Sequence, residues 1–298
     1  MKIVVAGGTG FLGGALVRRL SSEGHTLQVL SRRPRDRQQV AWTPDGAAGP
    51  WASVLADADV VVNLAGESIA AGRWSAARKA RIRDSRIQAT RSLVAAIQRA
   101  TRKPSVFISG SAIGYYGPHG KDVVTEETPP GDDFLATVCR EWEAEALAAA
   151  SSTRVVLLRT GIALEQDGGA LPQMALPFKL FAGGPVGSGR QYQPWIHRDD
   201  WVSMVGWAIR TPSISGPLNL TAPNPVTNRE FAQTLGRVLG RPAFMPAPGF
   251  ALRLAMGEMA DALLLTGARV IPARAQASGF RFAFATLEPA LRSIYRRT

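Results

Sequence analysis

The residues of this chain best placed to do chemistry are three glycines, a run of arginines and a few hydroxyls. Gly7, Gly10 and Gly13 stand three apart within the opening Met-Lys-Ile-Val-Val-Ala-Gly-Gly-Thr-Gly-Phe-Leu-Gly-Gly. The apolar run Ile3 to Ala6 precedes them, and a helical pattern follows at once through Phe11, Leu12, Leu16, Val17 and Leu20. Strand, tight glycine turn and helix in that order suit the diphosphate of a dinucleotide. Phosphate is held by backbone N–H groups at the positive end of a helix, so the backbone must come very close to it. Gly7 permits the turn, Gly10 lets the diphosphate approach, and Gly13 lets the helix lie against the strand. Thr9 adds a hydroxyl beside the phosphates, and Phe11 and Leu12 complete the set at the helix start.

A second strand over Thr26 to Leu30 runs into Ser31-Arg32-Arg33-Pro34-Arg35. NAD-selective sites place a carboxylate about 20 residues past the glycines, where it accepts from the ribose 2′-hydroxyl. Here the strand end offers Ser31, Arg32 and Arg33 instead, and a guanidinium matches a 2′-phosphate in charge and in its two-pronged geometry. The expected cofactor is NADP(H). No metal site is expected.

The elements that hold these groups follow in chain order. Asp59 to Leu64 is a continuous β-branched run, the mark of a buried parallel strand. The small residues Leu64-Ala65-Gly66 at its end would let the cofactor pass, and Glu67 follows at the same edge, facing the substrate side. A long helix spans about Ser75 to Ala100. Ser105 to Ser109 is the next strand, running into Ser109-Gly110-Ser111-Ala112-Ile113-Gly114-Tyr115-Tyr116-Gly117. A helix over Phe134 to Ala150 and a strand over Arg154 to Leu158, ending at Gly161, complete six βα-type units. That alternation implies an α/β fold with a doubly wound parallel sheet.

From Glu165 glycines and prolines break the pattern into loops. Trp195-Ile196-His197-Arg198-Asp199-Asp200 then opens a helix, Pro217 to Leu220 is a strand, and Thr227 to Leu239 is a helix closed by Gly240. Phe250 to Leu265, interrupted by Arg253, Glu258 and Asp261, suggests one amphipathic helix. The expected organisation is a cofactor domain over 1–164, to which about 196–222 returns, and a smaller mixed substrate-side domain over 165–298. The latter includes a C-terminal module at about 245–295.

Composition narrows the class. Hydrophobic residues make up 46% of 298 and charged ones 19%, as in a globular enzyme. The formal charge of +12 invites a nucleic-acid reading. The arginines are scattered rather than interleaved with aromatics, however, and neither a nucleic-acid nor a membrane partner is expected. A single cysteine, Cys139, rules out an internal disulfide and favours a reducing cytoplasm. The N-terminal apolar run is too short for a secretory signal.

Together these segments resemble the extended short-chain dehydrogenase/reductases, the epimerase/dehydratase-like enzymes with a Rossmann-type sheet. NLAGESIAAGRW, SGSAIGYYG, GGPVGSGRQYQPWIH and ARVIPARAQASGFRF are similar to one atypical branch, the epimerase-like family 39U, which carries a small C-terminal domain. The resemblance places Ser111 at the usual catalytic serine and Ser109 and Gly161 beside the cofactor. It puts Arg190 and Gln191 where relatives contact a substrate's phosphate or sugar. It assigns the Trp-Ile-His motif, His197 included, mainly to folding.

The departure from the family is as informative. Ordinary members use a Tyr-x-x-x-Lys pair, the lysine holding the ribose and lowering the tyrosine's pKa. None of the four tyrosines here has a lysine four residues on, and Cys139 stands near the lysine's place. Arg86, four residues before Thr90, replaces an asparagine and either faces the cofactor or an anionic substrate or serves on the surface. Tyr115 becomes the preferred donor toward a substrate carbonyl, with Ser111. The expected function is an NADP(H)-binding, epimerase-like oxidoreductase of a small molecule, monomeric or homodimeric. The alternative is a non-catalytic NADP(H)-binding regulatory or partner-binding protein.

Overall fold

The structure, a computed structural model, describes residues 1–296. Seven strands form one all-parallel sheet: β1 (Lys2–Ala6), β2 (Thr26–Ser31), β3 (Gln39–Ala41), β4 (Val60–Asn63), β5 (Val106–Ala112), β6 (Arg154–Thr160) and β7 (Gly216–Leu220). Their spatial order is β7-β6-β5-β4-β1-β2-β3. The chain winds outward from β1 through β2 and β3, then crosses over and winds the other way from β4. The order therefore reverses between β1 and β4, and a crevice opens at that switch point.

Alternation along each strand divides the core into two layers. Ile3, Val5, Val60, Val62 and Ile108 point to one face, where α1 (Phe11–Ser22) and α5 (Arg198–Arg210) cover them with Leu16, Leu20, Trp201 and Val205. Val4, Ala6, Val61 and Phe107 point to the other, under Leu93 and Ile97 of α2 (Ala76–Arg99) and Ala146 of α3 (Phe134–Leu147). Each fully buried branched side chain contributes about 1.5–3 kcal/mol. Local chemistry sets the helix ends. Ser75 caps α2 by accepting from Arg78 N, and Asp133 caps α3 by accepting from Ala136 N.

The smaller part is mixed. Ile162–Glu165, Gly168–Gly169 and Trp195–His197 form a three-stranded sheet beside helices α4 (Leu171–Lys179) and α6 (Asn228–Leu239). Trp195, Phe231, Leu235, Leu287 and Leu291 make its own core. Thr227 and Glu230 close a reciprocal capping box at the start of α6, and Gly240 ends it in the left-handed region at φ 62°.

Two expectations change. Leu171–Lys179 is helical despite Pro177 within it. The expected single helix over 250–265 is broken: α7 (Gly249–Met256) stops at Gly257, whose φ is 64°, and a short helix Glu258–Ala260 with one wide turn Asp261–Leu265 follows. A residue in that left-handed conformation cannot continue a right-handed helix. Among the described residues no helix is long and apolar enough to cross a membrane.

The C-terminal segment is sewn to the sheet. Asp200 accepts from the N–H groups of Ala283 and Phe284, both at 2.9 Å. Asn219 of β7 donates from Nδ2 to Ile271 O at 3.0 Å, and Arg269–Val270 pairs in parallel with Val123–Val124. His197 belongs to the same seam. Its Nδ1 accepts from Asp199 N, its Nε2 lies 3.1 Å from Ser293 Oγ, and its ring stacks on Phe284 at 4.0 Å.

Candidate functional site

The crevice at the switch point is a cleft of about 1160 Å³ at the carboxyl ends of β1, β2 and β4. Its floor is shaped by glycines. Gly7 has φ 77°, and a Cβ there would fall 2.6 Å from the Leu64 carbonyl carbon. A Cβ on Gly13 would lie 2.2 Å from Gly7 O, so any side chain would push α1 off the turn. Gly10 caps α1 without any side-chain hydrogen bond, which leaves the first-turn N–H groups open to an anion.

At the far end, Ser31 Oγ accepts from Arg33 N at 3.2 Å and keeps its own proton to give. Arg32, Arg33 and Arg35 are exposed around it. No carboxylate pairs with any of the three among the described residues, so the positive charge there is not neutralised. An open helix start, a floor that tolerates no side chain and a cluster of free guanidiniums fit a dinucleotide carrying an extra phosphate.

Of the cofactor candidates, Gly7, Thr9, Gly10, Ser31, Arg32, Arg33, Leu64, Ala65 and Gly66 line this cleft, together with Glu67. Phe11, Leu12, Gly13, Arg86, Ser109 and Gly161 do not. Phe11 turns its ring onto Gly168, where a Cβ would meet it at 2.5 Å. Ser109 has no exposed surface. Gly161 lies under the neighbouring loop, with Pro194 O 2.3 Å from where a Cβ would be. The sequence reading missed Arg81, Ser85 and Gln88, which face the cleft from α2 at the 4- and 3-residue spacing of one helix face.

Around Ser111 and Tyr115, the candidate catalytic residues, the hydroxyls are held unequally. Ser111 is buried and donates to Glu143 Oε1 at 2.6 Å. Glu143 holds Arg159 in a two-pronged pair, Nε to Oε1 and Nη2 to Oε2, both at 2.8 Å. Arg159 Nη1 also donates to Tyr116 Oη at 2.9 Å, and Tyr116 donates to Asn219 Oδ1 at 2.7 Å. This buried chain links β5, α3, β6 and β7 and reaches the C-terminal segment through Asn219. Burial pushes the Tyr116 phenol up to about 12, against the pull of Arg159.

Tyr115 is half-buried, its ring 3.5 Å below the Arg159 guanidinium, and its hydroxyl makes no hydrogen bond among the described residues. It is the one candidate catalytic hydroxyl left uncommitted. Cys139 lies on α3 near Gly114, where a Cβ would come 3.9 Å from its sulfur, and Leu135 stands one turn earlier. Burial pushes the thiol up to about 12, so at neutral pH it is a protonated packing group.

The substrate-side candidates are separated. Glu67 pairs with Arg78 at 2.6 Å at the cleft edge. Gln191 is buried and its amide donates to Val186 O at 2.9 Å and Leu264 O at 2.8 Å, tying the loop to the C-terminal module. Arg190 beside it is exposed.

A family model described as the NAD dependent epimerase/dehydratase family matches residues 3–219, and one described as Domain of unknown function (DUF1731) matches residues 247–294. The chain is 43% identical over 302 residues to the Epimerase family protein SDR39U1 homolog, chloroplastic, of Arabidopsis thaliana, covering 99% of this chain and 86% of that protein. The crystal structure of the human epimerase family protein SDR39U1 (isoform 2) with NADPH superimposes with a TM-score of 0.93 at 38% identity, over all of both chains. A nucleoside-diphosphate sugar epimerase from Corynebacterium glutamicum follows at 0.81 and 33%, covering 99% of this chain and 58% of that one. The 39U designation in these names is the branch to which the sequence motifs point.

Proposed function

Since the chain belongs to the NAD dependent epimerase/dehydratase family, we propose that it is an NADP(H)-dependent, epimerase-like oxidoreductase acting on a small molecule. The observation that carries the reading is the pairing of an uncapped α1 start at Gly10 with free guanidiniums at Arg32 and Arg33 across one cleft. The NADPH in the human relative's structure supports the phosphate-bearing cofactor.

When bound, the nicotinamide supplies hydride donor or acceptor chemistry. The protein's part is to bind, orient and hold a proton. Gly7, Gly10 and Gly13 admit the diphosphate, and Ser31 with Arg32 and Arg33 takes the 2′-phosphate. Tyr115 Oη offers its proton toward a substrate oxygen. Ser111, its proton given to Glu143, holds the strand end in place and has lone pairs but no free donor. The single buried thiol, Cys139, supports a reducing compartment, the cytoplasm in this reading, and no nucleic-acid or membrane partner is invoked.

A second reading draws on that same commitment of Ser111, together with Cys139 near the place of the family's lysine. A protein that binds NADP(H) without turning it over could keep this arrangement. The test is NADPH consumption across a panel of carbonyl compounds, with Tyr115→Phe alongside. The enzyme reading expects consumption with some member of the panel. It also expects the variant to cut turnover at least about tenfold, the size of one hydrogen bond to a developing charge, with NADPH affinity unchanged. Turnover undiminished in the variant removes Tyr115 from the role; no consumption with any carbonyl favours the non-catalytic reading.

A further inference from the structure

The guanidinium of Arg159 lies flat under Tyr115, its central carbon 3.5 Å from the ring centre. The other cation–ring contacts among the described residues run from 4.4 to 5.6 Å, so this one is a direct stack and the rest are looser approaches. Tyr115 needs such support. It sits on the single 3-10 turn Ile113–Tyr116, with Gly114 before it and Gly117, at φ 68°, two residues on. A lone turn of that kind has few backbone bonds of its own. Gly131 N donates to Tyr115 O at 2.9 Å, which fixes the peptide and leaves the ring to its neighbours. Tyr116 meets that ring edge-on with centres 5.4 Å apart, and the apolar cluster of Val124, Ala268 and Val270 packs against it.

Arg159 is itself tied in place. Strand pairing sets it opposite Ser111, beside the turn that carries Tyr115. Only 3% of it is exposed. Glu143 takes Nε and Nη2, while Nη1 donates to Tyr116 Oη and, at 3.2 Å, to Glu126 O. The N–H groups of a guanidinium lie in its plane, so these four bonds occupy the edge and leave the face for the ring. Glu143 also balances the charge. What Arg159 presents to Tyr115 is therefore a fixed flat plate rather than a surplus cation.

We propose that Arg159 is the positioning residue of Tyr115, holding the plane of its ring so that the hydroxyl proton is offered in one direction. This deepens, and rests on, the NADP(H)-dependent reading. A phenolic O–H lies in the plane of its ring, so a ring that cannot turn aims its proton. No lysine follows Tyr115 four residues on, and the chain steadies its donor from the neighbouring strand β6 instead. Arginine stays charged at any physiological pH and relays no proton. Arg159 acts through Tyr115 and touches no reacting atom.

NMR of the protein carrying isotope-labelled tyrosine tests it, the Tyr115 signals being those that vanish in Tyr115→Phe. A ring held in one plane gives separate signals for its two edges, whereas a turning ring gives one merged signal. Wild type is expected to show separate signals. Arg159→Lys keeps the charge that faces Glu143 but has no flat face, and its signals are expected to merge. With any carbonyl compound that wild type consumes, this variant should also lose roughly tenfold or more in kcat with KM little changed, as misaimed groups do. Merged signals in wild type overturn the inference, and that result needs no variant to fold. Separate signals in a folded Arg159→Lys overturn it too, as does an undiminished kcat. Absence of any turnover in wild type is instead the failure of the parent reading, and the ring signals then still decide whether Arg159 holds Tyr115.

Discussion

Ser111 Oγ lies 2.6 Å from Glu143 Oε1 and donates its proton there, while the same carboxylate receives two N–H groups of Arg159. The residue with the best family claim to polarise a substrate carbonyl is therefore part of a buried structural network. Position in a motif and availability for chemistry have come apart at this serine.

Glu143→Ala should be strongly destabilising. Glu143 and Arg159 are both buried, and removing one partner strands the other charge, at a cost of about 3–5 kcal/mol. Urea unfolding of the variant against wild type checks this. A loss under about 1 kcal/mol, the range of surface pairs, would mean that water reaches Arg159 freely.

Alkaline pH should act on Tyr116. Burial raises its phenol from 10.0 to about 12, so the fold favours the neutral form. The resulting stability is fully present below pH 10 and is lost as pH rises through 12, by up to roughly 3 kcal/mol. Tyr295 and Cys139 are also raised to about 12 and add to the slope. The comparison that isolates Tyr116 is therefore wild type against Tyr116→Phe, whose stability should fall less steeply between pH 10 and 12. Parallel curves would contradict the assignment.

Asp200→Ala should loosen the C-terminal segment. It leaves the N–H groups of Ala283 and Phe284 without their acceptor, worth about 1–3 kcal/mol for each group that stays dry. Limited proteolysis is expected to cut the variant near residues 279–286 well before wild type. Equal resistance would show that the packing of Leu287 and Leu291 holds the segment by itself.

What was legible in the sequence was local. The Gly7–Gly13 turn, the β-branched run at Val60 and the helix stop at Gly240 each declare themselves within a few residues, because turn sterics, strand burial and helix termination act at short range. The doubly wound sheet followed from their order. Leu171–Lys179 was hidden by Pro177, which stands inside the helix where a proline ordinarily signals a break. Gln191 shows the limit from the other side. Its amide is tied to Leu264, 73 residues away, and no spacing in the chain announces that bond. The Ser111–Glu143 bond, across 32 residues and two elements, was equally invisible, although it decides what the serine can do.

The proposed function stands on NADP(H) binding through the arginines at the end of β2. The most direct measurement is fluorescence titration with NADPH and NADH on wild type and on Arg32→Ala. The expected result is tight NADPH binding to wild type, weak NADH binding to both, and a loss of NADPH affinity in the variant of roughly tenfold or more. NADPH affinity unchanged by Arg32→Ala, or NADH bound as tightly as NADPH, would contradict it.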